Sequence, residues 1–293
     1  MMPVMALIAL LAGCAGLGAQ TEQVRPGHSG VRGAQANASI ATRLSAVLPA
    51  DILLLGEQHD APEHQQLAQQ VVVELSRRGQ LAALALEMAD QASSTAGVSV
   101  SASEDEVRAA LRWNEEGWPW SAYGPAVMSA VRAGVPVLGA NLPRSQMRVR
   151  MADSTLDARL PAAALSAQQA LIKSGHCDML PDSQIAPMTR IQIGKDIAMA
   201  DTLALAARPG QVVVLMTGSV HADPTLGVPL HLPKTLSARA VLMRAGDQAG
   251  GPNKPADFDQ VWATPATPPK DYCAGLAERL PGSTPSQKPS MGK

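Results

Sequence analysis

The chain has 293 residues, 46% of them hydrophobic and 17% charged, with a formal net charge of −1. That is enough chain to close one large α/β domain around a substantial core, while the near-neutral balance and the lack of any long basic run exclude an electrostatic case for nucleic acid. With four Trp, two Tyr and one Phe, the core must be built from Leu, Val, Ile, Ala and the 13 Met.

The first 13 residues form a short apolar run ending in small residues before Cys14. Such a run is too short to cross a bilayer, which takes about 20 residues, and has the length of a signal-peptide core. Leu11-Ala12-Gly13-Cys14 resembles a bacterial lipobox, in which the cysteine is lipidated and becomes the first residue; no Lys or Arg precedes the run. The alternative is a plain signal peptide with an incidental cysteine. Lipidation would add several acyl chains at roughly 0.8 kcal/mol per buried methylene, enough for stable anchoring. Ala15 after the cysteine resembles the pattern that favours the outer membrane. Residues 14–45 read as a polar tether and a first helix near 38–48, residues 46–280 as one α/β domain without repeats or linkers, and residues 281–293 as a Pro/Ser/Lys-rich disordered tail.

Five apolar runs read as strands: 51–55, 81–86, 135–138, 211–217 and 240–243. Between them lie helical patterns. Asp60-Ala61-Pro62-Glu63 resembles a capping box with Asp60 as N-cap, ahead of Leu67, Val71, Val72 and Leu75 at helical spacing and a stop at Gly79. Ser103-Glu-Asp-Glu106 is a second capping box, opening a helix to about 113. Further helices are expected over 125–133, 161–173 and 183–207. Alternating β and α over this length predicts a mostly parallel sheet with helices on both faces.

In a parallel sheet the ligand crevice lies beyond the carboxyl ends of the strands, and four of the five strand ends carry reactive polar residues. Glu57 and His59 follow the first, Glu87 the second, Asn141 and Arg144 the third, and His221 the fourth. Glu57 and His59 lie two apart, on one side of an extended chain. Glu57 suits a general base or ligand, and His59 a ligand or proton carrier. His64, one turn into the next helix, can point back toward them. Glu87 and His221 are expected to be partly buried and to need partners. Arg144 is suited to a carboxylate or propionate, or to solvent at a helix start. Trp113, Trp118, Trp120 and Tyr123 fall within eleven residues. Such a cluster is either a stacking surface for a planar ligand or a local core. Gln192, Asp196 and Ala200 share a helix face, which reads as an ordinary amphipathic stripe. An exported chain permits disulfides, and Cys177 and Cys273 are the pair left to form one, the alternative being two reduced thiols.

These residues, taken together, resemble the ChaN-like haem-binding lipoproteins, of the superfamily that includes erythromycin esterases and Tiki proteases. The matching segments are Leu54–Asp60 with His64, Leu86–Met88, Trp120–Pro125, Gly134–Arg144, Gln192–Ala200, Gly218–His221 and Gly227–Val228-Pro229, with Lys195 where arginine is expected. The resemblance implies haem as cofactor on an exported lipoprotein serving iron acquisition, a tyrosine as iron ligand, and homodimers that enclose the haem. Tyr123, which lies in a matching segment, is the expected ligand, and Tyr272 is the other tyrosine. His59, His64, Glu87, Asn141, Arg144 and His221 are the expected further contacts. In the hydrolytic relatives the Glu and His of the first segment and a later His carry catalysis or bind metal. The alternative is therefore an exported hydrolase using Glu57, His59 and His221, and a third reading is an envelope scaffold with a degenerate site.

Overall fold

Strand residues of this protein alternate between two apolar cores, so its sheet must be covered twice. In β1 (Ile52–Glu57), Leu53 and Leu55 belong to one core, and Ile52 and Leu54 to the other. The computed structural model describes residues 38–246 and 254–275. The leader, Cys14, the tether up to residue 37 and the tail from 281 lie outside the described residues.

β1 is joined by β2 (Leu81–Asp90), β3 (Val137–Asn141), β4 (Val212–Gly218), β5 (Ala238–Ala245) and β6 (Gln260–Thr264). They form one all-parallel sheet in the order β3-β2-β4-β1-β5-β6. The fold is a single α/β domain, as the sequence predicts. From β1 the chain moves outward through β2 to β3, then returns to β4 beside β1 and continues outward through β5 to β6. This reversal places a topological switch point at β1 and β4, where a crevice opens beyond the strand ends.

Helices α1 (Ile40–Ser45), α2 (Pro62–Arg77), α3 (Glu104–Ala110) and α4 (Trp120–Arg132) precede β3. Val71, Val72 and Leu75 of α2 and Ala126, Val127 and Ala130 of α4 pack on one face with Leu53, Leu55, Val214 and Met216. After β3 come α5 (Arg144–Ala152), α6 (Ala162–Gly175), α7 (Asp182–Ala206) and, following β4, the short α8 (Ser219–Ala222). Met199, Ala200 and Leu203 of α7 cover the opposite face with Ile52, Leu54, Val213 and Leu215.

Local differences from the sequence reading have physical causes. The Ser103/Glu106 capping box forms: Ser103 Oγ accepts from Glu106 N–H at 3.3 Å, and Glu106 Oε2 accepts from Ser103 N–H at 2.7 Å. The Asp60 box does not form, because α2 is capped at Ala61 without a side-chain hydrogen bond. Donors from Gln58, Lys270 and Tyr272 claim the Asp60 carboxylate instead. Helix α3 stops at Ala110, before the expected end, and Arg112 follows with φ of 48°. Helix α4 begins at Trp120 rather than at Pro125, since burial of Trp120 and Tyr123 carries it upstream of the proline. α5 buries none of its residues, so it carries no apolar period to read, and β6 is a short edge strand with one buried residue, Trp262.

Near the future crevice β2 bulges. Leu86 pairs with Gly139 and the next partner pair is Asp90 with Asn141, so Glu87 begins the bulged end of the strand, a placement bulges often give to site residues. The returning chain crosses directly over Gly139: a Cβ there would lie 2.1 Å from the Asp90 carbonyl oxygen and 2.3 Å from Ser93 Oγ. Gly139→Ala is expected to destabilise the fold by about 1–3 kcal/mol through overpacking. Urea denaturation measures this, and a change below about 0.5 kcal/mol would mean that the bulge is not held by this contact.

Candidate functional site

β4 lies between β1 and β2, so the carboxyl ends of these three strands share one edge. Glu57 at the end of β1 stands beside Gly218 at the end of β4, and Glu87 follows Leu86, the partner of Met216. The edge is crowded: a Cβ at Gly218 would sit 2.9 Å from His59 Nε2, so the imidazole would have to move aside.

Two hydrogen-bonded networks meet at this edge. In the first, buried Glu57 accepts from Tyr123 Oη at 2.7 Å, His59 Nδ1 at 2.8 Å and Gln65 Nε2 at 2.9 Å. Tyr123 is buried, and burial together with the Glu57 charge pushes its phenol far above the usual tyrosine range. Burial tends to lower the pKa of His59. The Glu57 hydrogen bond and the Glu87 and Glu57 charges outweigh it, and the pKa is raised.

In the second network, Glu87 Oε2 accepts from Thr217 Oγ1 and from Gly218 N–H, each at 2.8 Å. Its Oε1 is 3.5 Å from His221 Nε2, while His221 Nδ1 donates to Asp196. Burial opposes charge on both sides, yet the pair wins. Glu87 is held well below the usual carboxylate range by His221, with His59 and Lys195 adding to it, and His221 is pushed up to about 10 by Glu87 and Asp196. At neutral pH His221 is thus an imidazolium between two carboxylates. Gln192 Nε2 is 2.9 Å from His221 Nε2; with the ring charged, Gln192 turns its amide oxygen toward it. Gln168 Nε2 completes the chain, donating to Asp196 at 3.3 Å and to the Leu226 carbonyl at 2.9 Å. His59 Nε2, 4.0 Å from Glu87 Oε2, links the two networks.

Above them opens a cleft of about 510 Å³ lined by Glu57, His59, Glu87, Gln192, Lys195 and His221, with Asp60, Lys270 and Tyr272 on its rim. An adjoining hollow of about 660 Å³ shares His59, Asp60 and Lys270 and is walled by Trp118, Pro119, Ala122 and Gln65. The aromatic cluster serves in two ways. Trp113 packs edge to face with Trp120 and tilted against Tyr123 as a local core, with the indole N–H groups of Trp113 and Trp120 satisfied by Trp118 O and Glu104, and Tyr123 also borders the hollow. Trp118 meets the His59 ring at 4.8 Å and reaches the hollow.

Of the residues singled out from the sequence, Glu57, His59, Glu87 and His221 converge on the cleft. His64 does not line it: its Nδ1 accepts from Gln58 N–H at 3.0 Å and its Nε2 donates to Thr264 Oγ1 at 3.0 Å. Fully buried, with burial pushing its pKa down to about 4, it is a neutral structural imidazole. Asn141 lies at the end of β3, outside the cleft lining, its Oδ1 buried without a hydrogen-bond partner among the described residues. Arg144 is exposed at the start of α5, where its backbone N–H donates to Asp90. Cys177, between α6 and α7, is bonded to Cys273 beyond β6, with 5.8 Å between their Cα atoms. Among the described residues, no group of three or more His, Cys, Asp or Glu is arranged to hold a metal ion.

The family described as "Haem-binding uptake, Tiki superfamily, ChaN" matches residues 44–232, well over half of the chain. The chain belongs to this family. Among solved structures, that of cofacial haem binding to ChaN of Campylobacter jejuni aligns with a TM-score of 0.60 and 24% identity, over 76% of this chain and 89% of that one. This likeness shows the shared fold. The type III effector HopBA1 aligns with a TM-score of 0.43 and 16% identity over 78% of this chain and 94% of that one, too slight a likeness to bear on the site. Among curated proteins no sequence matches the chain significantly. The ChaN match ends at residue 232, so the rim residues Lys270 and Tyr272 lie beyond it.

Sequence reasoning missed the partners rather than the strand-end groups. Asp196 and Gln192 read as one helix face and as part of a matching segment, and neither reading names them as the partners of His221, which that face holds. Gln65 lies one residue past His64 on α2 and holds Glu57. Lys270 and Tyr272 have no local sequence signal, because a disulfide and long-range hydrogen bonds bring them to the cleft.

Proposed function

We propose that this protein binds haem at the cleft beyond β1, β2 and β4, as an exported lipoprotein of iron acquisition. The observation that carries the reading is the make-up of that cleft: an aromatic and apolar wall at Trp118, Pro119 and Ala122 joins a cationic rim at Lys195 and Lys270 that bears one accessible phenol. This donor set fits haem, whose ring is planar and apolar, whose propionates are anionic and whose iron accepts a tyrosine ligand. Both phenols donate to a carboxylate, Tyr272 to Asp60 and Tyr123 to Glu57, but Tyr272 is 60% exposed whereas Tyr123 is 1% exposed. On this proposal Tyr272 is the tyrosine that would meet the iron, and Lys270, Lys195 and His59 would meet the propionates. Once bound, haem supplies an iron centre. Anchoring through Cys14 to outer-membrane lipid, and a second copy closing the open side of the cleft, complete the proposal.

A haem titration of the purified chain, followed by absorbance, tests it. Wild type should bind saturably. Tyr272→Phe should weaken binding by at least tenfold and change the spectrum, because the phenolate ligand is lost. A wild-type protein that leaves the haem spectrum unshifted at micromolar haem would end this reading.

One observation favours a second reading. The buried Asp196–His221 pair, with Nε2 toward the cleft, is how a hydrolase orients an imidazole. A general base works best with a pKa near the operating pH, and His221 is pushed up to about 10, which suits it to donating a proton instead. Loss of any esterase or peptidase activity in both Glu57→Ala and His221→Ala would support this reading, and inert wild type across such a panel would remove it.

A further inference from the structure

Beyond β6 the chain runs from Pro265 to Gly275 over the rim of the cleft, and none of these residues is buried. It carries Lys270 and Tyr272, two of the rim residues. Among the described residues, the hydrogen bonds and ion pair that hold it run to a single loop, the exit from β1. Gln58 Nε2 donates to Thr267 Oγ1 at 3.4 Å and to Tyr272 Oη at 3.2 Å. Tyr272 Oη donates to Asp60 at 2.9 Å, and Lys270 Nζ lies 3.3 Å from the same carboxylate. These are surface contacts, weak individually and open to water and salt.

The other attachment is covalent. Cys273 is bonded to Cys177 in the connection leading into α7, the helix that supplies Gln192 and Lys195 to the cleft. The segment therefore runs between the β1 exit loop and the base of α7, and a disulfide fixes its far end. Cys273 is exposed and Cys177 half-buried, so an incoming thiolate reaches the Cys273 sulfur first.

We propose that the Cys177–Cys273 disulfide is a redox latch on the cleft: it holds Lys270 and Tyr272 over the opening, and its reduction by a dithiol releases the 265–275 strap and with it these two ligand contacts. The proposal rests on the ligand-binding reading above. The exchange proceeds through a mixed disulfide. The first thiolate of the dithiol bonds to Cys273 Sγ and expels Cys177 as a thiolate, which takes a proton. The second thiol then displaces Cys273, so two electrons and two protons pass to the protein and the dithiol leaves as a disulfide. Fixing the strap in its bound position removes an ordering cost that the reduced protein must meet on binding.

Two measurements on the full chain separate the latch from the identity of the ligand. Hydrogen exchange of the protein alone, before and after dithiothreitol, reads the strap directly. Exchange across 265–275 should rise at least tenfold on reduction while β1, β2 and β4 stay protected. Haem titration of Cys177→Ser/Cys273→Ser, in which neither strap cysteine is left to meddle with iron, should show at least tenfold weaker affinity than the oxidised wild type. Adding Tyr272→Phe should weaken the disulfide-free variant far less than it weakens wild type, since the phenol is already displaced. Unchanged strap exchange on reduction, or equal haem affinity with and without the disulfide, overturns the latch. A strap that is released while neither form binds haem upholds the latch and removes the haem reading. If the serine variant fails to fold, the exchange experiment on reduced wild type decides alone.

Discussion

Asp196→Ala is expected to destabilise the protein by about 3–5 kcal/mol, the usual result of removing one partner from a buried ion pair. Asp196 is fully buried, receives the Nδ1 proton of His221 and is within reach of Gln168 Nε2. Without it the His221 imidazolium keeps Glu87 on one side and loses its counter-charge on the other. Burial, which already works against the charge, then gains ground, and the pKa of His221 should fall from about 10. Asp196→Asn, which keeps the shape and one hydrogen bond, should cost less. The pH dependence follows from the same groups. His221 is raised in the fold from 6.5 to about 10, so its stabilisation is fully present below pH 6.5 and is lost as pH rises toward 10. His64 is lowered from 6.5 to about 4, so the fold loses stability as pH falls from 6.5 toward 4, where the unfolded chain binds a proton that the native state refuses. Wild-type stability should therefore peak near pH 6.5, and Asp196→Ala should flatten the alkaline side alone. Urea midpoints across pH, with an imidazole NMR titration of His221, check both statements. A variant that keeps the wild-type alkaline slope would show that Asp196 does not hold the charge.

The order of strands and helices was legible because both faces of the sheet are covered. Continuously apolar runs such as Leu53–Leu55 and Val212–Leu215 have nowhere to sit except between two helix layers. The polar residues that interrupt such runs at their ends were legible for the same reason: an apolar strand followed at once by Glu87 forces a buried carboxylate to find partners. What those partners are was not legible. Thr217 and Gly218 reach Glu87 across 130 or so residues through strand register, and Asp196 reaches His221 through the packing of α7. Asp196 stands in a segment that resembles the family and on a helix face that an ordinary surface helix also presents, and neither names His221 as its partner. His64 shows the opposite error. Its position one turn into a helix suggested that it could turn back to the site, but the backbone N–H of Gln58 takes its Nδ1 and Thr264 of β6 takes its Nε2. Since β6 carries no strong apolar pattern, nothing local announced that partner.

Tyr123 gives the second large effect, and two substitutions there separate packing from hydrogen bonding. Its side chain is 1% exposed, packed against Trp113 and Trp118, with the phenol donating to Glu57. Tyr123→Ala should cost about 3–5 kcal/mol, the range for emptying an aromatic site in a core, because it opens space beneath both the indoles and β1. Tyr123→Phe keeps the ring and removes one charged hydrogen bond, for about 1–3 kcal/mol. The smaller figure is favoured because His59 and Gln65 still donate to Glu57. Its consequence for the site is more informative than its cost. With one donor gone, the Glu57 charge is less satisfied and pulls harder on the His59 proton, so the pKa of His59, already raised, should rise further. Haem affinity of Tyr123→Phe should stay within a few-fold of wild type, since the phenol that reaches the cleft opening belongs to Tyr272. If Tyr123→Phe instead abolishes binding while Tyr272→Phe does not, the buried phenol must leave Glu57 to reach iron, and the ligand-bound site differs from the one described here by a rearrangement of α4.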